Sequence, residues 1–189
     1  MIFAVVSDTH GHGDNVDRLA ERLTRAGVRR VVHLGDDYDD AESLMAAGFE
    51  VVRVPGVFSD YYRAPEIPNR LLCEIGGLTV LLTHTDAPHK NDTPDDEDPA
   101  VIASREKPDL VLFGHTHLPA VETREGGLWV NPGHLKSEDK KGVPPSYALI
   151  DTDARPFGVR ILALDDGRVL MERRLGTILP AGGNDKEGS

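Results

Sequence analysis

Six residues of the types that bind divalent metals stand directly after short apolar segments of the sequence. They are Asp8, His10, Asp36, His84, His115 and His117. The preceding segments, at residues 2–7, 31–34, 78–82 and 110–113, are predicted β-strands. Open α/β sheets bind ligands at the carboxyl ends of their strands, so we expect the six side chains to converge on one edge.

A site of carboxylates and imidazoles suits borderline to hard divalent ions, with manganese expected first and iron, zinc, nickel, cobalt or magnesium as alternatives. Two ions roughly 3.5–4 Å apart clamp a phosphoryl oxygen and convert water to hydroxide near neutral pH. Asp36 is the expected bridge between the ions, since a carboxylate offers two oxygens. The residues therefore predict a two-metal phosphoesterase, in which the hydroxide attacks phosphorus in line with the leaving group and Asp36 is a catalytic residue.

Short apolar strands alternate with amphipathic segments, which predicts an α/β layer fold. Apolar residues recur at helical spacing over residues 14–26, and Gly27 is placed to end that helix. Asp98 followed by Pro99 predicts the start of another helix. The second half of the chain contains two Gly-Gly hairpin turns and is expected to be more antiparallel.

The length of 189 residues suits one domain, which we predict over residues 1–181, with a disordered tail over 182–189. With 21 basic and 32 acidic residues the net charge is −11, which disfavours binding to a nucleic-acid duplex. The expected partner is a small phosphorylated substrate, and the oligomeric state stays open. No apolar run approaches the roughly twenty residues of a membrane span. Cys73 is the only cysteine, so a reducing cytoplasm is the expected location.

Three motifs in this order resemble those of the calcineurin-like metallophosphoesterase superfamily, in particular its YfcE-type branch of small phosphodiesterases. They are Ser7-Asp8-Thr9-His10-Gly11, Gly114-His115-Thr116-His117 and Asn131-Pro132-Gly133. The resemblance implies a four-layer αββα sandwich of two mixed β-sheets flanked by helices. It also implies one metal on Asp8, His10 and His117, a second on His84 and His115, and Asp36 as the bridge.

The sequence departs from the family pattern after the third strand. Members carry Gly-Asn-His or Gly-Asn-Cys there, followed by an acid, and the asparagine binds the second metal. In this chain Val57 replaces that ligand, and Phe58 replaces the histidine that assists the leaving group in larger members. Asp60 is a candidate substitute ligand, with a capped turn or a surface acid as the alternative. Without a general acid, substrates with good leaving groups are expected to be favoured.

Two further histidines are candidates outside the six. His134 follows the Asn131-Pro132-Gly133 turn, and we predict a catalytic role at the leaving group or a place behind the metal ligands. His12 is predicted either to contact substrate or to lie in an exposed loop. His33, within an apolar strand, is expected to be a core residue.

The rival hypothesis is a non-catalytic scaffold or binding module with a degenerate metal site. One branch of the family that the chain resembles serves as a scaffold subunit in membrane-coat complexes. Because only the asparagine position is lost, the enzyme is the favoured interpretation. A single-metal or regulatory site is a third possibility.

Overall fold

Two β-sheets lie face to face at the centre of the protein. The computed structural model describes residues 1–154 and 157–174. Its strands are β1 (Ile2–Val6), β2 (Arg30–His33), β3 (Glu50–Arg53), β4 (Arg70–Ile75), β5 (Leu78–Thr83), β6 (Leu110–Leu112), β7 (Ala120–Arg124), β8 (Gly127–Asn131), β9 (Ser146–Asp151), β10 (Gly158–Ala163) and β11 (Val169–Arg174). The first sheet has the order β11-β10-β9-β1-β2-β3 and the second β4-β5-β6-β8-β7. Both sheets mix parallel and antiparallel neighbours.

Alternate residues of β1 show how the layers arise. Phe3 and Val5 are buried between the two sheets, whereas Ala4 and Val6 are buried on the opposite face. Successive side chains of a strand point to opposite faces, so this strand is covered on both. The continuous apolar run at the N-terminus follows from that double burial.

The two outer layers are helical. The helices are α1 (Gly13–Arg25), α2 (Ala41–Ala46) and α3 (Pro99–Glu106). Val16, Leu19 and Leu23 of α1 pack on the outer face of the first sheet, and α3 packs against the second through Ala103. Burying one such leucine contributes roughly 1.5–3 kcal/mol. The predicted αββα sandwich of two mixed sheets is therefore confirmed.

The residues predicted to end α1 and to begin α3 stand at those helix ends in the structure. Gly27 stands just past α1 with a φ of 71°, and its N–H donates to the Thr24 carbonyl. The Asp98 side chain accepts a hydrogen bond of 2.8 Å from the Ala100 N–H at the start of α3. Lys107 then ends α3 in the left-handed region.

Two parallel strand pairs bring the metal-binding motifs to one place. Strands β1 and β2 are parallel in the first sheet, and β5 and β6 are parallel in the second. The N–H of His115, after β6, donates to Asp8 Oδ2 after β1 at 2.9 Å, so the two pairs meet at their carboxyl ends.

Within the described ranges, no helix is long and apolar enough to cross a membrane. The predicted tail at 182–189, and the end of the predicted domain beyond residue 174, lie outside the described residues.

Candidate metal centre

Four of the six predicted ligands meet at one point. Donor atoms of Asp8, His10, Asp36 and His117 all lie within 4.8 Å of one another. His10 Nε2 is 3.0 Å from His117 Nε2, and His117 Nε2 is 3.2 Å from Asp8 Oδ1. Neighbouring ligands about 2.1 Å from one ion in octahedral geometry are about 3 Å apart, so this spacing suits a shared cation.

The other two predicted ligands lie on the opposite side of Asp36. Asp36 Oδ2 is 2.7 Å from His10 Nε2, while Asp36 Oδ1 is 3.8 Å from His84 Nε2. The rings of His84 and His115 stack edge to face with centroids 5.2 Å apart. The two oxygens of one carboxylate therefore face two separate groups of imidazoles.

His84 Nε2 is a buried polar atom without a hydrogen-bond partner in the described structure. Leaving such an atom unsatisfied costs roughly 1–3 kcal/mol. A divalent cation would satisfy it, since the neutral imidazole nitrogen is a common metal ligand. The donor set thus fits the metal ions that the sequence predicted.

In two of these histidines a hydrogen bond at Nδ1 determines which ring nitrogen carries the proton. His84 Nδ1–H donates to the Leu34 carbonyl at 2.6 Å, and His117 Nδ1–H donates to Asp139 Oδ2 at 2.7 Å. A neutral imidazole carries one ring proton, so each Nε2 keeps its lone pair for a metal.

The backbone is strained at the same residues. Five non-glycine residues of the described ranges have φ in the left-handed region: Asp8 (54°), His10 (50°), His115 (63°), His117 (59°) and Lys107 (48°). Lys107 ends a helix, and the other four are predicted ligands. Each left-handed residue costs roughly 1–2 kcal/mol, and such strain collects at functional sites.

The turn that carries His115 and His117 is held from outside. Asn131 Nδ2 donates to the Gly114 carbonyl at 2.7 Å and lies 3.0 Å from Thr116 Oγ1. Gly114 packs so closely against Ser7 that a Cβ on residue 114 would overlap the Oγ of Ser7. The Asn131-Pro132-Gly133 motif therefore shapes the site from behind.

Negative charge is retained in the site. In the metal-free protein burial raises the pKa of Asp8, but the hydrogen bond from the protonated form of His117 and the electrostatic effect of His84 outweigh it and lower the pKa to about 2. The His117 N–H, with the Lys141 backbone N–H, holds the pKa of Asp139 well below its usual range. Ionised carboxylates at neutral pH favour cation binding.

Asp60 does not join the ligands. It is exposed at the start of a short 3₁₀ turn, Asp60–Arg63, which is capped by Ser59. It lies outside the four-residue cluster, and its exposure agrees with the surface-acid alternative of the prediction. Val57 is buried and supplies no donor side chain, and its carbonyl accepts from Asn91 Nδ2 at 2.8 Å.

His134 is fully buried behind His117, with the two ring centroids 5.5 Å apart. Its Nδ1 accepts from the Lys136 N–H at 3.1 Å, and its Nε2–H donates to the Val143 carbonyl at 3.3 Å. Both nitrogens are occupied, which agrees with the predicted place behind the metal ligands, and the role at the leaving group stays a prediction.

His12 and His33 complete the set of predicted histidines. His12 is half-buried at the start of α1, with Nδ1 3.3 Å from Ser137 Oγ, and lies outside the ligand cluster. Its contact with substrate stays a prediction. His33 is fully buried, as expected of a core residue.

Two residues next to the site were missed by sequence reasoning. Asp139 contacts His117, and His89 stacks edge to face on His115 with centroids 5.3 Å apart. Both lie in polar loops without periodic pattern, so their proximity to the strand ends had no signal in the sequence.

Comparison with known proteins gives consistent matches over most of the chain. The model of the calcineurin-like phosphoesterase superfamily domain matches residues 1–155. Phosphodiesterase YfcE of Escherichia coli K12 is 24% identical over 183 residues, covering 88% of this chain and 94% of that protein. Vacuolar protein sorting-associated protein 29 of Schizosaccharomyces pombe is 25% identical over 186 residues, covering 92% of this chain and 96% of that protein. The solved structure of the E. coli phosphoesterase YfcE superposes with a TM-score of 0.65 at 22% identity, covering 92% and 99%.

Proposed function

The chain belongs to the calcineurin-like phosphoesterase superfamily, and from that premise we propose that it is a phosphodiesterase with two unequal metal sites bridged by Asp36. One observation carries the proposal: the oxygens of Asp36 face different imidazoles, Oδ2 toward His10 at 2.7 Å and Oδ1 toward His84 at 3.8 Å.

Each ligand has a defined place in the proposal. Asp8, His10 and His117 would hold one ion, and His84 with His115 would hold the other. When bound, such ions polarise a phosphoryl oxygen and lower the pKa of water enough to supply a nucleophile near neutral pH. The carboxylates of Asp8 and Asp36 offset the positive charge that is brought into a largely buried site.

The two sites are proposed to differ in affinity. The second lacks a side-chain ligand where Val57 stands, and that side chain is buried and apolar. Phe58, in the position of the family's proton donor, carries no transferable proton. Substrates with good leaving groups should therefore react fastest, since protonating the leaving group is worth about 10²–10⁴-fold.

Hydrolysis of bis-p-nitrophenyl phosphate with added manganese tests the proposal. We expect Asp36→Asn to lower kcat/KM by about 100-fold or more and to lose one metal equivalent in elemental analysis. Asp37→Asn is the matched control, because Asp37 is the adjacent, exposed carboxylate. Wild-type rates and metal content in Asp36→Asn would exclude the bridging role.

A non-catalytic binding module is the second candidate. It is favoured by the missing ligand at Val57 and by the similarity to a protein named for vacuolar protein sorting. Tight binding of metal by the wild-type protein, without turnover above background, would support this alternative against the enzyme.

The remaining parts of the proposal concern the protein's surroundings. We propose manganese as the physiological ion, a small phosphorylated substrate and a cytoplasmic location. Metal analysis of protein purified without added metal tests the first of these directly.

A further inference from the structure

His89 lies at the edge of the proposed second metal site but differs chemically from the ligands there. Its ring is 5.3 Å from that of His115, at an angle of 72°, and 5.7 Å from that of Phe58, at 85°. The residue is half-buried, so part of it is accessible to solvent.

A backbone hydrogen bond determines which nitrogen of His89 carries the proton. The Asn91 N–H donates to His89 Nδ1 at 3.2 Å. A nitrogen that accepts has no hydrogen of its own, so the neutral ring carries its proton on Nε2. A histidine that binds metal through Nε2 needs the opposite arrangement, with Nδ1–H as a donor. His89 is therefore not the replacement for the missing metal ligand.

The loop around His89 is held in place by a second set of bonds. Asp92 Oδ2 accepts from the His89 N–H at 2.9 Å and from Arg70 at 2.8 Å. The Asp92 charge is thus matched by a guanidinium whose side chain is only 4% exposed. Asn91 Nδ2 also ties the loop to the Val57 carbonyl at 2.8 Å.

These contacts leave one polar group without a partner. No hydrogen bond to His89 Nε2 forms within residues 1–154 and 157–174, although Nδ1 and the backbone N–H are both engaged. A neutral N–H at the edge of a phosphoryl-binding site is a donor for an anionic oxygen.

We propose that His89 is a substrate-binding residue, which donates a hydrogen bond from Nε2 to a phosphoryl oxygen beside the second metal site. The inference rests on the proposed metal centre. A hydrogen bond from Nε2–H fixes the position of that oxygen beside the second metal site. His89 therefore binds and orients the phosphoryl group.

Two measurements test His89 without relying on turnover. Long-range ¹H–¹⁵N spectra of the metal-free protein at about pH 8, where ordinary histidines are neutral, should show the Nε2–H tautomer for His89. The signals are assigned by their loss in His89→Gln. The Nδ1–H tautomer would overturn the proposal.

Binding of inorganic phosphate to the manganese-loaded protein is measured by calorimetry. His89→Phe should weaken phosphate binding about 10- to 100-fold, the usual loss for a hydrogen bond to a charged group. His89→Gln should stay within about threefold of wild type, because a glutamine side chain can place an N–H near the Nε2 position. Metal content should be equal in all three proteins.

Failure of this inference is distinguishable from failure of the proposed enzyme. Unchanged phosphate affinity in His89→Phe, or the loss of a metal equivalent, would overturn the His89 assignment whatever the turnover. An inactive wild-type protein that binds phosphate through His89 would uphold the assignment and remove the phosphodiesterase proposal.

Discussion

Removing the carboxylate of Asp139 should weaken metal binding, although Asp139 itself is not a predicted ligand. Asp139 Oδ2 accepts from His117 Nδ1–H at 2.7 Å, and the Asp139 side chain is 5% exposed. The bond orients the His117 ring and keeps its proton away from Nε2. Asp139→Asn preserves the size of the side chain but removes the charge that selects this tautomer.

The magnitude follows from the geometry. A hydrogen bond to a charged group contributes roughly 1.5–3 kcal/mol, and loss of a residue behind a metal ligand usually costs about 10–100-fold in affinity. We therefore expect Asp139→Asn to weaken manganese binding about 10–100-fold. In the metal-free protein we expect Asp139→Asn to lower the free energy of unfolding by about 1 kcal/mol. That loss corresponds to a fall of about 2–4 °C in melting temperature.

Competition with a chromophoric chelator measures the affinity, and the adjacent Glu138 provides the control. Glu138 is exposed, so Glu138→Gln removes the same charge without a known contact to the site. A change below about twofold in Asp139→Asn would refute the positioning role. An equal loss in Glu138→Gln would reduce the effect to general electrostatics.

Three further predictions use other parts of the site. Gly56→Ala would bring a Cβ to 2.5 Å from Asp36 Cα, so metal content and melting temperature should both fall, whereas Gly158→Ala, with nothing within 4 Å, should bind metal normally. In the metal-free protein, burial lowers the pKa of His33 to about 4, so below about pH 6.5 the unfolded chain binds a proton that the folded chain does not. The free energy of unfolding, measured with urea, should fall by an amount on the order of 3 kcal/mol from about pH 6.5 to about pH 4. The same fall in His33→Gln would contradict this cause. His84 Nε2 is buried without a hydrogen-bond partner in the described structure, so we expect metal to stabilise the fold. Manganese at about 100 times its Kd should raise the melting temperature by about 5–10 °C, and no shift would argue against binding there.

The strand-end residues were predictable because their placement depends on topology. The apolar run before Asp8 is typical of a strand covered on both faces, and parallel strands expose their carboxyl ends together. The structure accordingly brings Asp8, His10, Asp36 and His117 together, with His84 and His115 beyond Asp36.

The loop residues were not predictable on the same grounds. Asp139 is 22 residues from His117 in sequence, and their contact depends on the path of a polar loop. At residues 55–60 Gly56 packs against Asp36, but the place of Asp60 had no signal in the sequence. Ser59 caps a turn that leaves Asp60 exposed, and the outcome depends on local hydrogen bonding rather than on spacing.

The hydrogen bond at Nδ1, rather than residue type, indicates which histidines can offer Nε2 to a metal. In three of them Nδ1 accepts from the N–H two residues further on: His33 from Gly35, His89 from Asn91 and His134 from Lys136. Their neutral rings therefore carry the proton on Nε2 and cannot offer a lone pair there without breaking that bond. His84 and His117 instead donate from Nδ1 to oxygen acceptors, which leaves Nε2 free. The i to i+2 contact thus argues against His89 as a metal ligand and supports its proposed role as a donor to a phosphoryl oxygen.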